Sequence, residues 1–346
     1  MLPPRASPIT PVVPMTALHI AALQVTKMAS TLRSDEPNLY ELVETFFRAT
    51  FSTDNPIITE AVRRMLAAGG KRLRPRVTLL AAASCGDDPA RHLHLAAYME
   101  LIHVATLIHD DVVDNAQTRR GVNATAVDFG NRVSVLAGDY LFAWIFKNVT
   151  ANYPHPVPNI LSATLADICD GEVLQLQALR NLALPLDGYV EIARKKTASL
   201  FEASAACGAI MGGGDAATIA ALRAFGDAYG IAFQMNDDLL DMTAEERSLG
   251  KPVGNDLRER KVTIPLVLAL QAGHREFLEQ ATRFYTGTEN DGIPELVAAI
   301  AREGGLEHTR AEIGGYVERA KAALEPLPPT PAKEELTRLA DALAGV

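Results

Sequence analysis

The sequence predicts an all-α protein, and three observations predict it. Apolar residues recur at spacings of three and four through most of the chain beyond Glu36, as in Leu93, Ala97, Leu101, Val104 and Ile108. No segment sustains the period-two alternation of a half-buried strand, so no sheet is expected. The breaks between periodic stretches are short clusters of Gly, Pro and Asp, with no linker that would divide the chain. Of the 346 residues, 48% belong to the apolar set AVILMFWYC, enough for one large core.

Taken in order, residues 1–36 stand apart. Pro3, Pro4, Pro8, Pro11 and Pro14 each remove a backbone donor and fix φ. The segment reads as a flexible tail ahead of a single domain over 37–346, and it lacks the charged start and clean apolar run of a secretory signal. Helices are then expected over about 40–51, 56–68, 75–85, 93–108, 131–150, 159–181, 187–210, 216–246 and 260–282, with shorter ones near 293–303, 306–324 and 331–344. The breaks fall at Gly69-Gly70, Gly86 to Pro89, Pro154 to Pro158, Gly212 to Gly214 and Gly250 to Gly254.

The charge balance is 33 Lys+Arg against 42 Asp+Glu, a net −9. That argues against a nucleic-acid binder, while leaving room for a local basic cluster that grips a small phosphate ligand. Three cysteines, Cys85, Cys169 and Cys207, are scattered without CxxC spacing. They fit neither a disulfide scaffold nor a zinc cage and point to a reducing cytoplasm. No apolar run reaches the roughly 18 residues of a transmembrane segment.

The main chemical signal is a pair of aspartate clusters. Asp110, Asp111 and Asp114 form DDVVD, and Asp237, Asp238 and Asp241 form DDLLD. Helical spacing stacks Asp110 over Asp114 and Asp237 over Asp241, and stacked like charges destabilise a helix. The apolar surroundings raise the cost of leaving them uncompensated. Mg²⁺ suits such a site, because it binds through one or two carboxylates and completes its shell with water and phosphate oxygens. A second signal is basic: Lys71, Arg72 and Arg74 before one helix, Arg119 and Arg120 just after the first cluster, then Lys196, Lys251 and Lys261. Cations grouped near carboxylates in an acidic chain suggest ligands with phosphate groups. GKRLRP lacks P-loop spacing, and Gly212 to Gly214 follows no strand. His109 reads as a packing residue, and His92 and His94 as surface residues.

These motifs closely resemble the trans-isoprenyl diphosphate synthases, or polyprenyl synthetases. The matching stretches are GGKRLRP (69–75), ELIHVATLIHDDVVDNAQTRRG (100–121), SVLAGDYLF (134–142), GEVLQL (171–176), KTASLF (196–201), FQMNDDLLD (233–241) and GKPVGNDLRERKVTIPL (250–266). The resemblance implies a helical bundle around a deep central cavity, working as a homodimer. It implies that Asp110, Asp111, Asp114, Asp237, Asp238 and Asp241 hold Mg²⁺, three ions with substrate bound. The allylic diphosphate would then be gripped by Arg119, Lys196, Gln234, Lys251 and Lys261, with Thr197 and Gln234 offering oxygen dipoles to the allylic cation. Lys71, Arg74, His103 and Arg120 resemble the isopentenyl diphosphate site, and Arg72 lies between two of them.

Product length in this family is set one turn before the first cluster, where Ala105 and Thr106 are small. A long product of the quinone side-chain kind is expected, with Trp144 a deeper stop that would favour a short-chain (geranylgeranyl or farnesyl) product instead. A long product implies peripheral membrane contact at release. The chain ends Leu339 to Val346 without the basic tail many members carry. A terpene cyclase would have no need of GKRLRP or Arg120. A regulatory subunit of a heteromeric synthase would normally have lost a cluster.

Overall fold

The structure, a computed structural model, describes residues 43–45, 51, 53–243 and 254–345. The expected N-terminal tail, most of the expected helix over 40–51 and Lys251 lie outside the described residues. Asn55 opens α1 (Pro56–Ala67), its side chain accepting from the amides of Ile57 and Ile58 with Pro56 in the first turn. After α2 (Leu73–Ser84) comes α3 (Leu93–Val113), whose stripe Leu93, Ala97, Leu101, Val104 and Ile108 is buried as the spacing predicts. Leu95, Ala96, Met99 and Ile102 are buried too, so α3 is the central helix of the N-terminal half. It packs on α5 (Asn131–Asn152), with the short α4 (Thr125–Phe129) before it.

The C-terminal half is built on α9 (Ala216–Thr243), which comes after α6 (Val157–Gln177), α7 (Leu186–Ala193) and α8 (Ser199–Met211). Around α9 gather α10 (Asn255–Arg258), α11 (Ile264–Ala272), α12 (Arg275–Thr286), α13 (Ile293–Arg302), α14 (Gly305–Leu324) and α15 (Pro331–Ala344). Two apolar clusters result, one around α3 and α5 and one around α8, α9, α11 and α14. Leu336, Leu339, Ala340 and Leu343 of α15 belong to the second, so the terminal segment packs as core. No described helix is long and apolar enough to cross a membrane.

Three departures from the sequence reading bear on the site. The expected single helix over 187–210 contains a π-helical turn at Arg194–Ala198. It is held where α6 and α9 approach it through glycines: a Cβ on Gly171 would meet the Lys196 amide nitrogen at 2.5 Å, and one on Gly230 would meet the Ala198 Cα at 2.4 Å. The expected helix over 260–282 is two helices, broken at Gly273-His274.

The third departure is a minimal hairpin where no strand was expected, pairing Thr118 with Asn123 and Arg119 with Val122. Arg120 (φ 51°) and Gly121 (φ 79°) form its two-residue turn, both left-handed as a type I′ turn requires. Strands of two residues are too short to show a period.

Candidate active site

The first aspartate cluster closes α3. Asp110 and Asp111 lie in its last turn, and Asp114 is the C-cap. The helix ends in a Schellman motif, with the amide of Ala116 donating to the carbonyl of Asp111 (2.9 Å) and Asn115 in the left-handed region (φ 50°). Three carboxylates at a helix C-terminus oppose its dipole, and the structure offsets them with cations. Arg119, aimed by the hairpin, donates from Nε to the fully buried Asp111 at 2.7 Å. Lys261 reaches Asp114 at 3.2 Å. No described residue donates a hydrogen bond to the Asp110 carboxylate. Burial pushes its carboxyl up to about 6, with Lys196 opposing and Glu172 and Asp114 adding to the rise.

The second cluster lies near the end of α9 and is held by neutral donors. Tyr189 on α7 donates its hydroxyl to Asp238 at 2.6 Å, and Gln234 donates its amide to the other oxygen at 2.8 Å. Thr197 in the π-turn donates to the Gln234 carbonyl oxygen at 2.6 Å, which fixes the amide's orientation. Asp241 accepts from the backbone amides of Asn255 (3.2 Å) and Asp256 (3.1 Å). Asp237 is exposed and accepts no hydrogen bond from a described residue. Burial pushes Asp238 up to about 7 against the Tyr189 and Gln234 hydrogen bonds. Asp256 is driven well above the usual carboxylate range, by burial first and then by Asp241 and Asp238.

Lys261 pairs with Asp114 of the first cluster and with Glu259, and its amide donates to the carbonyl of Asp256, whose own amide donates to Asp241. Burial opposes its charge, but Asp256, Asp114 and Glu259 raise its pKa on balance. Lys196 forms an ion pair with Glu172 and donates to Gln175 at 2.7 Å, both on one face of α6. Lys196, Thr197, Gln234, Asp238, Tyr189 and Gln175 line a pocket of about 380 Å³, measured to its open mouth.

The basic residues gather beside the first cluster. Arg74 is buried over the Phe201 ring (4.6 Å), its Nε without an acceptor among the described residues, and burial lowers its pKa to about 10. Arg120 donates to the Gly69 carbonyl, and its guanidinium occupies the space a Cβ on Gly70 would need. His103 is held neutral by burial first, then by Arg74, Arg120 and Arg119. Lys71 is exposed nearby in sequence.

Arg72 is otherwise employed: it pairs with the buried Glu100 at 2.8 Å and with Glu44, so it is a structural cation. His109 packs on Gly138, with Nε2 3.0 Å from the Val135 carbonyl, as a packing residue should. His92 is not a surface residue: it is buried and bonded to Asp87 at 2.9 Å, and His94 is half-buried. Ala105 is fully buried in the N-terminal core, whereas Thr106 is half-buried on the stripe below Asp110.

Sequence reasoning assigned no role to Glu172, Gln175, Tyr189 and Asp256. The i,i+3 pair within GEVLQL and the acid within GND were the available signals. Tyr189 carried none, since only folding brings α7 against α9.

The donor set fits divalent cations. Buried carboxylates held above their ordinary range carry surplus negative charge that an ion would relieve. Among the described residues no three of His, Cys, Asp and Glu form a self-sufficient cage, so an ion here would complete its shell with water and phosphate oxygens.

Known proteins give the same picture. A short chain isoprenyl diphosphate synthase of Methanothermobacter thermautotrophicus is 36% identical, covering 87% of this chain and 94% of its own. The octaprenyl diphosphate synthase of Escherichia coli is 38% identical over 84% of this chain and 90% of its own. The crystal structure of a Caulobacter crescentus polyprenyl synthase, complexed with calcium and isoprenyl diphosphate, superposes with a TM-score of 0.83 at 36% identity, covering 94% of this chain and 97% of that one. The polyprenyl synthetase family profile matches residues 55–300. With the profile match and these relatives spanning most of the described chain, the protein belongs to the polyprenyl synthetase family.

Proposed function

We propose that the chain condenses isopentenyl diphosphate head-to-tail with an allylic diphosphate, giving an all-trans polyprenyl diphosphate. The observation that carries this is the pair of carboxylate clusters, the first held by Arg119 and Lys261 and the second by Tyr189, Gln234 and the amides of Asn255 and Asp256, with the separate basic group of Arg74 and Arg120 beside the first. Asp110, Asp111, Asp114, Asp237, Asp238 and Asp241 would hold Mg²⁺, three ions with substrate bound. When bound, these ions stabilise the negative charge that grows on the departing diphosphate. Arg119, Lys196, Lys251 and Lys261 bind and orient the allylic diphosphate. Lys71, Arg74, His103 and Arg120 bind the isopentenyl diphosphate, with His103 as a neutral hydrogen-bond donor.

The allylic C–O bond breaks with its electron pair leaving on the diphosphate. The isopentenyl double bond then forms the new C–C bond, and a proton is lost to the departed diphosphate. Thr197 and Gln234, fixed by their mutual hydrogen bond, present oxygen dipoles to the allylic cation. The catalytic domain is assigned to 37–346.

A long product is the primary reading, because Thr106 is small and lies on the Asp110 stripe. A second reading, a geranylgeranyl-length product, is favoured by the aromatic cluster deeper in the bundle, where Trp144 meets Phe51 at 5.5 Å and Tyr98 at 5.9 Å edge-on. A homodimer is part of the proposal, since α5 leaves Val135, Leu136 and Tyr140 exposed. So is a cytoplasmic location, since all three cysteines are free thiols.

The test is to supply the purified chain with Mg²⁺, labelled isopentenyl diphosphate and farnesyl diphosphate and to resolve products by length. A ladder of long products is expected. A geranylgeranyl product alone would select the aromatic stop. No elongation by the chain alone would select a subunit that needs a partner.

A further inference from the structure

Two arginines that were given no role above share one unusual arrangement. Arg180, just beyond α6, and Arg260, just beyond α10, are both left-handed (φ 61° and 60°), a costly conformation for a residue with a long side chain. They are stitched together, the Arg180 amide donating to the Arg260 carbonyl at 3.0 Å. Arg260 is buried and lies over the Phe284 ring at 4.2 Å. Among the described residues its guanidinium donates to neutral oxygens: the Leu257 carbonyl (2.9 Å), the Arg258 carbonyl (3.3 Å), the Asn290 side chain (2.8 Å), the Glu289 carbonyl (2.9 Å) and the Gly287 carbonyl (3.5 Å). Arg180 reaches the same loop, donating to the Gly287 carbonyl at 3.1 Å and to that of Tyr285. The Tyr285 hydroxyl in turn donates to the Lys261 carbonyl at 2.7 Å.

The stitch sits where two functional segments diverge. Upstream of Arg180 are Glu172 and Gln175, which hold Lys196. Directly after Arg260 is Lys261, which pairs with Asp114 of the first cluster and with Glu259. Ala178 on one side and Val262 and Thr263 on the other line the pocket. A left-handed residue immediately before Lys261 sets the direction in which the chain delivers that side chain, and the buried guanidinium holds it there.

We propose that Arg260, braced by Arg180, is a positioning residue that fixes Lys261 on Asp114 of the first carboxylate cluster. It deepens the proposed prenyl transfer and concerns the same site. An effect transmitted through Lys261 has a definite signature: removing Arg260 matters when Lys261 is present and has nothing to act on when it is absent.

The test is a double-mutant cycle of Arg260→Ala and Lys261→Ala, with Arg180→Gly as a second variant that tolerates the left-handed backbone of the stitch and removes the whole side chain. Calorimetric binding of inorganic diphosphate with Mg²⁺ is measured alongside kcat/KM for elongation, and thermal melting identifies variants that fold. Arg260→Ala should weaken both by about tenfold to a hundredfold, the scale of a misplaced catalytic group. In the Lys261→Ala background it should change them by less than about twofold. Arg180→Gly should show the same dependence on Lys261 with a smaller effect, and decides the matter if Arg260→Ala does not fold. Equal losses in both backgrounds would overturn the proposal. Diphosphate coupling in a wild-type chain that elongates nothing would support the positioning role while overturning the prenyl-transfer reading.

Discussion

The two aspartate clusters share a sequence pattern and a helical spacing, yet they are stabilised in different ways. DDVVD is balanced by charge: Arg119 on the buried Asp111 and Lys261 on Asp114. Among the described residues, the donors to DDLLD include the neutral Tyr189 hydroxyl, the Gln234 amide and two backbone amides of the 254–256 turn. The segments just downstream of the two motifs make the difference. Asn115 and the Arg120-Gly121 turn swing Arg119 back onto the first cluster, whereas Gly254, left-handed at φ 73°, brings amides back onto the second.

That contrast can be broken or sharpened by experiment. The largest effect is on turnover. Asp110→Asn and Asp238→Asn each remove a carboxylate that buried surroundings hold in surplus, and each should lower kcat by about 10²–10³-fold, the scale of losing one preorganised electrostatic stabiliser. A much smaller loss for Asp238→Asn, read by steady-state elongation kinetics, would show that the second cluster is structural.

Stability comes next. Arg119→Met leaves Asp111 buried beside a lost cation and should cost about 3–5 kcal/mol in urea unfolding, as for a broken buried pair. Tyr189→Phe removes one hydrogen bond to a charged group and should cost about 1.5–3 kcal/mol. The reverse order would contradict the division between charge and dipole.

The pH dependence has a worked sign. Asp110 at about 6 and Asp238 at about 7 are raised above their ordinary value of 3.8. Between these limits the folded chain binds protons that the unfolded chain has released, so metal-free stability falls as pH rises from about 4 to 7. Denaturation midpoints should record that fall, and saturating Mg²⁺ should flatten it by binding the ionised folded form. A chelated sample that showed no slope would mean that other groups already balance these carboxylates.

The smallest effect is expected at Asp237, exposed and without a described donor. Asp237→Asn should change metal-free stability by no more than about 0.5 kcal/mol while weakening Mg²⁺ binding measured by calorimetry. For product length, Thr106→Phe is a cleaner probe than Ala105→Tyr. Ala105 is fully buried in the core, where added bulk strains packing, whereas Thr106 is half-buried. A shorter product from Thr106→Phe at unchanged stability is the expected result.

By itself the sequence determined the helical class, the apolar stripe of α3, the two carboxylate clusters and most of the cations around them. These are local properties: a period of 3.6 residues and a spacing of four can be read along one chain. Tertiary structure decided the rest. It assigned Arg72 to Glu100 and left Arg74 without an acceptor for its Nε, although the two lie in one hexapeptide. It buried His92, bent the expected 187–210 helix through a π-turn between Gly171 and Gly230, and set Tyr189 against Asp238 across 49 residues. Which side chain a buried charge meets depends on contacts between segments distant in sequence, and no periodicity within one segment records what another will place against it.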